Sequence, residues 1–195
     1  MALAGSTKYG DDRHKGSDHE PWSGYITFDN DTNWYLNSNP STSVDIPSSQ
    51  SDFLSVAVHE LGHVLGISGH ASPFKALTQN GKFIGAASKA LNNGEAIPLH
   101  PYVNPKTGEI TYPHIKDGFK IPGLEENSMD PTLTRGTRKL ITLLDAALLD
   151  DIGYEINYAP LKQVKVLSPN GSNQLQAGNN YTVTWSDNFD ENVKI

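Results

Sequence analysis

Histidines 59 and 63 stand four residues apart in a segment whose apolar positions, Phe53, Leu54, Ala57, Val58, Leu61, Val64 and Leu65, recur at intervals of three and four. That spacing predicts a helix that starts near Ser51, read as its N-cap with Asp52 at the positive end of the dipole, and stops at about Gly66. Side chains four apart on a helix share a face, so both imidazoles can reach one metal ion, with Glu60 offset beside them by about 100°. A catalytic zinc site takes three protein ligands and a water. Whatever this chain folds into must therefore bring a further ligand to this helix.

The 195 residues include no cysteine. Disulfides, thiolate ligands and cysteine nucleophiles are excluded, and a transition metal has to be held by histidine or carboxylate. The net charge is −7 and the 15 basic residues are scattered, which leaves no cationic stripe to follow a phosphate backbone, so nucleic acid is not an expected partner. No apolar run approaches the roughly 20 residues that cross a bilayer. The opening MALAGSTKYG has neither a basic nor an apolar region of the signal-peptide kind.

Along the chain, residues 1–22 read as a polar, irregular entry. GYITFDND alternates apolar and polar positions and predicts a strand with Tyr25, Ile26 and Phe28 as its core, at a sheet edge where an extended substrate could add by β-augmentation. A Ser/Pro/Asn-rich loop leads to the helix. Short helices are expected within PFKALTQN and GAASKALNN, and residues 94–126, with five prolines and four glycines, read as an irregular substrate-side region. Thr142 and Asp145 form a T-x-x-D capping box ahead of ALLDDIGY, a helix that should stop near Gly153. After Pro160 the composition turns to β in VKVLSP, YTVTWSD and ENVKI.

Glu60 gives the helix its chemistry. Zinc draws the pKa of a bound water toward neutrality, and a carboxylate beside it can take that proton and pass it to a leaving amine, which points to peptide-bond hydrolysis. The third ligand is open among His14, His19, His70, His100 and His114, or a carboxylate such as Glu125 or Glu126. His70 lies next to the helix end. His114 is distant from it but near Met129.

HELGHVLG followed by ENSMDPTL resembles the metzincin clan of zinc metallopeptidases. In that clan the active-site helix ends at a glycine, matched by Gly66, and a methionine turn, matched by Met129, lies beneath the metal. The matrixin pattern HExxHxxGxxH would put its last histidine at Gly69; His70 is one place late, although GISGHAS resembles the matrixin segment GLGHS. GYITFDNDTNW is similar to a matrixin strand that ends in acidic calcium ligands, which marks Asp29 and Asp31 as candidates for Ca2+. Bacterial leishmanolysin-like metallopeptidases are resembled over residues 23–155, through FIGAASKALNNGEAIPL, PHIKDG and SMDPTLTRGTRKLITLLDAALLDDIGYEI. That resemblance implies His114 as the third zinc ligand. The tail, from SPNG through AGNNYTVTW, is similar to extracellular immunoglobulin-like modules.

The expectation is an α+β fold: a metzincin-like catalytic domain over 1–159, with a twisted sheet, active-site helix, methionine turn and C-terminal helix, followed by the start of a β-sandwich over 160–195. The function expected is that of a secreted, monomeric zinc endopeptidase acting on proteins or peptides, in which His59, His63 and His114 hold Zn2+ and Glu60 is the general base. The rival is a non-catalytic, zinc-containing adhesion module.

Overall fold

The computed structural model describes residues 2–6, 23–37, 45–161, 164–168, 176, 180–182 and 184–187. The candidates His14 and His19 and the ENVKI segment lie outside these residues. In chain order the first elements are β1 (Ala2–Ser6), β2 (Gly24–Phe28), β3 (Trp34–Tyr35), β4 (Ser51–Asp52) and α1 (Phe53–Val64). There follow α2 (Ser72–Ala76), β5 (Thr78–Gln79), β6 (Lys82–Phe83), α3 (Ala86–Leu91), β7 (Ile97–Val103) and β8 (Ile110–Ile115). The chain continues through α4 (Leu143–Asp151), a 3-10 turn (Ala159–Leu161), β9 (Val164–Ser168) and β10 (Thr184–Asp187). This is a mixed α and β architecture, and no helix among the described residues is long and apolar enough to cross a membrane.

The largest sheet has four strands in the order β5-β6-β7-β8, each pair antiparallel. Its last two strands correct the reading of residues 94–126 as irregular. Pro98 lies within β7 opposite Lys82, but the other two strand prolines sit where a sheet tolerates them: Pro113 is in β8, an edge strand among the described residues, and Pro101 falls where the β7–β8 register shifts, between His100 and Tyr102. A missing backbone N–H costs little at either place.

β1 and β2 form a separate antiparallel pair, from Ala2 opposite Phe28 to Ser6 opposite Gly24. The entry segment thus opens with a strand rather than irregular chain, and the YITF strand belongs to a two-stranded ribbon packed on α1. Tyr25 is not in a core, being 54% exposed. Phe28, Trp34 and Phe53 make the local cluster instead, with ring centroids 4.6 Å apart for Phe28–Phe53 and 5.6 Å for Trp34–Phe53. Aromatic packing of this kind pins the start of α1 to the ribbon.

The main core gathers Ile67, Phe74, Phe83, Ile97, Ile115, Met129 and Leu148 between the four-stranded sheet, α2 and α4. Phe74 and Phe83 stack at 4.6 Å. Within this frame Asp151, at the end of α4, accepts from Ala87 N at 2.7 Å, Ser88 N at 3.0 Å and Ser88 Oγ at 2.5 Å. A carboxylate from one helix thereby satisfies the free N–H groups of another, α3. The expected T-x-x-D box is present on α4, where Thr142 Oγ1 accepts from Asp145 N and Asp145 accepts from Thr142 N at 2.8 Å. β9 and β10 pair with one another at the C-terminal end.

Candidate metal centre

α1 is held at both ends. Its N-cap is Asp52 and not Ser51: Asp52, the last residue of β4, keeps extended backbone angles, and its Oδ2 accepts from Ser55 N at 3.1 Å and from Ser55 Oγ at 2.6 Å. The same carboxylate takes a two-pronged contact from Arg138, Nε to Oδ2 at 2.9 Å and a terminal nitrogen to Oδ1 at 2.8 Å, with both side chains out of solvent. Burial would raise the Asp52 pKa, but the hydrogen bonds from Arg138 and Ser55 outweigh it and hold the carboxyl below its usual range. At the far end Gly66 takes φ +111°, the left-handed turn that ends a helix, and Tyr154 donates to Leu65 O at 2.9 Å. A helix clamped in this way presents its side chains with little freedom.

His59, His63 and His114 meet at the middle of α1. Their ring centroids lie 4.8 to 5.1 Å apart, and one ring nitrogen from each falls within 4.8 Å of the others, a grouping that could hold a metal ion. His59 Nδ1 lies 2.7 Å from Ser128 O and His63 Nδ1 lies 2.8 Å from Ile67 O. A carbonyl oxygen can only accept, so each Nδ1 carries the proton and each Nε2 is left with a lone pair. Such backbone partners are what orient ligating imidazoles.

The donor set fits zinc. His63 Nε2 and His114 Nε2 are 3.1 Å apart, near the roughly 3.3 Å that separates two nitrogens bound at ~2.0–2.1 Å to a tetrahedral zinc ion. Burial, together with the neighbouring imidazoles, lowers His63 to about 4 and His114 to about 3, and burial also lowers His59. Rings that stay neutral keep their lone pairs for a metal.

Glu60 is buried beside this group at 7% exposure. Met129 is fully buried below it: a Cβ added at Gly62 would come within 2.4 Å of Met129 Sδ. Gly62 is therefore the seat for the methionine, a role no helix periodicity announces. The turn that carries Met129 is fastened to α4, since Asp145 accepts from Ser128 N at 3.1 Å and from Ser128 Oγ at 2.9 Å. Burial pushes the Asp145 carboxyl up, against four hydrogen bonds from Ser128 and Thr142.

The other candidates are elsewhere. His70 is exposed, with its backbone N–H bonded to Ser68 Oγ, and it does not join the group. His100 stands opposite His114 in the β7–β8 register without entering the group. Glu126 pairs with Lys139 and, at 3.6 Å, with Lys120, while Glu125 is exposed. Asp29 Oδ1 accepts from Asp31 N at 2.9 Å as a local turn, and among the described residues neither joins a cluster suited to a cation. His114 itself is in strand β8, not in the loop expected for it. At Gly69, the matrixin position for a third histidine, a Cβ would meet Thr111 Cβ at 2.8 Å and Tyr112 N at 3.0 Å. The strand that brings His114 excludes a side chain there. Sequence reading missed the Asp52–Arg138 pair, the Asp145–Ser128 link and the seat at Gly62, of which only the charged Asp52 beside the helix start carried a signal.

A family model described as Matrixin matches residues 7–89. The stretch includes His59, Glu60 and His63, ends before β7 and β8, and is fewer than half of the 195 residues. Together with the mixed α and β fold and the three-histidine group, it supports a zinc metallopeptidase domain of metzincin type. No curated protein and no solved structure matches the chain.

Proposed function

We propose that the protein is a zinc-dependent endopeptidase in which His59, His63 and His114 hold the metal and Glu60 is the general base. The observation that carries this reading is the convergence of three imidazoles, two from α1 and one from β8, beside a buried carboxylate on the same helix. A zinc ion held there supplies Lewis acidity toward a water and toward the scissile carbonyl.

The chain's own groups do the rest. Ser128 O and Ile67 O fix the rings of His59 and His63. Glu60 removes a proton from the attacking water and returns it to the nitrogen of the leaving amine. Met129 forms the floor. A purely structural zinc site would have no use for Glu60, which sets the endopeptidase above the adhesion-module reading.

The substrate class is protein or peptide, and the active protein is a secreted monomer. The catalytic domain spans 1–159, and 160–195, where β9 and β10 pair, begins an immunoglobulin-like sandwich. His114, rather than His70, in the histidine group supports affinity with the leishmanolysin-like enzymes. Glu60→Gln tests the mechanism: casein hydrolysis should fall to background while bound zinc, measured by atomic absorption, stays at one per chain. Full activity in that variant would sink the assignment, and a wild type that binds zinc but cleaves nothing would favour the adhesion module.

A further inference from the structure

We infer that Asp130 is a positioning residue for His114: its buried carboxylate holds the chain just beyond β8 in the place that brings the third imidazole to the two on α1. The inference rests on the reading of the three histidines as zinc ligands.

His59 and His63 share one helix, so their spacing is settled locally. His114 has no such guarantee. Among the described residues β8 is an edge strand, paired on one side to β7 across a register shift, and an edge of this kind is the part of a sheet most free to slide or fray. Four contacts fasten it beyond the histidine: Lys116 N donates to Pro98 O of β7 at 2.9 Å, Thr132 Oγ1 donates to Asp117 Oδ1 at 2.7 Å, and two more run to the methionine turn. Ile115 N donates to Met129 O at 3.0 Å, and Gly118 N donates to Asp130 Oδ2 at 2.7 Å.

Asp130 is itself fixed through its other oxygen. Oδ1 accepts from Thr132 N at 2.8 Å and from Lys139 Nζ at 3.0 Å, and the residue is 2% exposed. Lys139 in turn gives its backbone N–H to Ser55 Oγ, at 2.8 Å, on α1. The carboxylate therefore closes a path from the helix that bears His59 and His63 to the turn that follows His114. Charge-assisted bonds to a buried carboxylate are shorter and stronger than neutral ones, which suits a joint that has to hold a geometry. An aliphatic side chain at 130 would leave Gly118 N and the Lys139 ammonium without this acceptor.

The test compares purified wild type with Asp130→Ala, Asp130→Asn and His114→Ala, and with Asp151→Asn as a control that loses a buried carboxylate at α3. Zinc affinity is read by competition with a colorimetric chelator, and coordination by the visible absorption of the cobalt(II)-substituted proteins. D130A should bind zinc about 10–100-fold more weakly and show weakened cobalt bands that approach those of H114A. D130N, which keeps an acceptor oxygen for Gly118 N, should fall between D130A and wild type, and it carries the test if D130A does not fold. D151N should lower the melting temperature and leave both metal readouts unchanged. Wild-type affinity and cobalt spectrum in D130A and D130N, with both lost in H114A, overturn the inference alone. An H114A protein that binds zinc as the wild type does overturns the ligand reading and the inference with it.

Discussion

Two glycines near the metal centre are there because something else occupies the space a side chain would need. At Gly62 the neighbour is the end of a methionine; at Gly69 it is Thr111 Cβ together with the backbone N of Tyr112 in β8. The difference has a measurable consequence. Gly69→Ala should destabilise the protein by about 1–3 kcal/mol, the usual cost of overpacking, because Tyr112 N cannot retreat without moving the strand that carries His114. The urea midpoint gives the number, and an unchanged midpoint would mean that the loop after α1 yields freely. Gly62→Ala meets a flexible thioether that is nonetheless buried, so its cost should shrink when combined with Met129→Ala, and a double-mutant cycle reads that coupling. Met129→Ala alone should cost about 2–5 kcal/mol.

At the scale of elements, the N-terminus of α1 depends on a segment far away in sequence. Arg138→Met removes the partner of a buried carboxylate and should cost about 3–5 kcal/mol in a chemical melt; a loss under 1 kcal/mol would show that Asp52 finds water or another donor. The same pair shapes the acid limb. Because the folded-state pKa of Asp52 is depressed, its contribution is present above the unfolded value and is lost as pH falls through the folded one. α1 and α4 were legible because their signals are local: apolar spacing, a glycine stop, a T-x-x-D box. The β7–β8 hairpin was hidden because Pro101 and Pro113 argue against strands unless one knows that the first sits at a bulge and the second on an edge. For the same reason β8 could be found only by looking for what brings His114 to α1. The N-cap was missed by one residue because β3 pairs with both Ser51 and Asp52, so the chain stays extended through Asp52 and the helix starts at Phe53.

For the whole molecule, the three half-buried imidazoles set a pH dependence that is easiest to see without metal. His63 and His114 titrate near 6.5 when unfolded and near 4 and 3 when folded. Between those values the unfolded chain takes up protons that the folded chain refuses, so stability falls as pH drops below about 6.5. Chelator-treated protein should show a lower urea midpoint at pH 5 than at pH 7.5, and His114→Ala should flatten the difference. Equal midpoints would mean that the rings are not buried together. Legibility at this scale was partial: HELGH announced two of the three histidines, whereas their assembly with His114, Ser128 and Asp145 depends on contacts no local pattern encodes.

The separation of these parts also bears on how the chain is made. His63 and His114 are 51 positions apart, and His59 and Ser128 are 69 apart. A ribosome delivers α1 with both histidines and Glu60 well before it delivers β8, the methionine turn and the start of α4. While the helix is already out, the strand that completes the histidine group does not yet exist, and the turn that orients His59 comes later still. Nascent chains therefore carry the helix with two of the histidines before the strand that completes the group has been made.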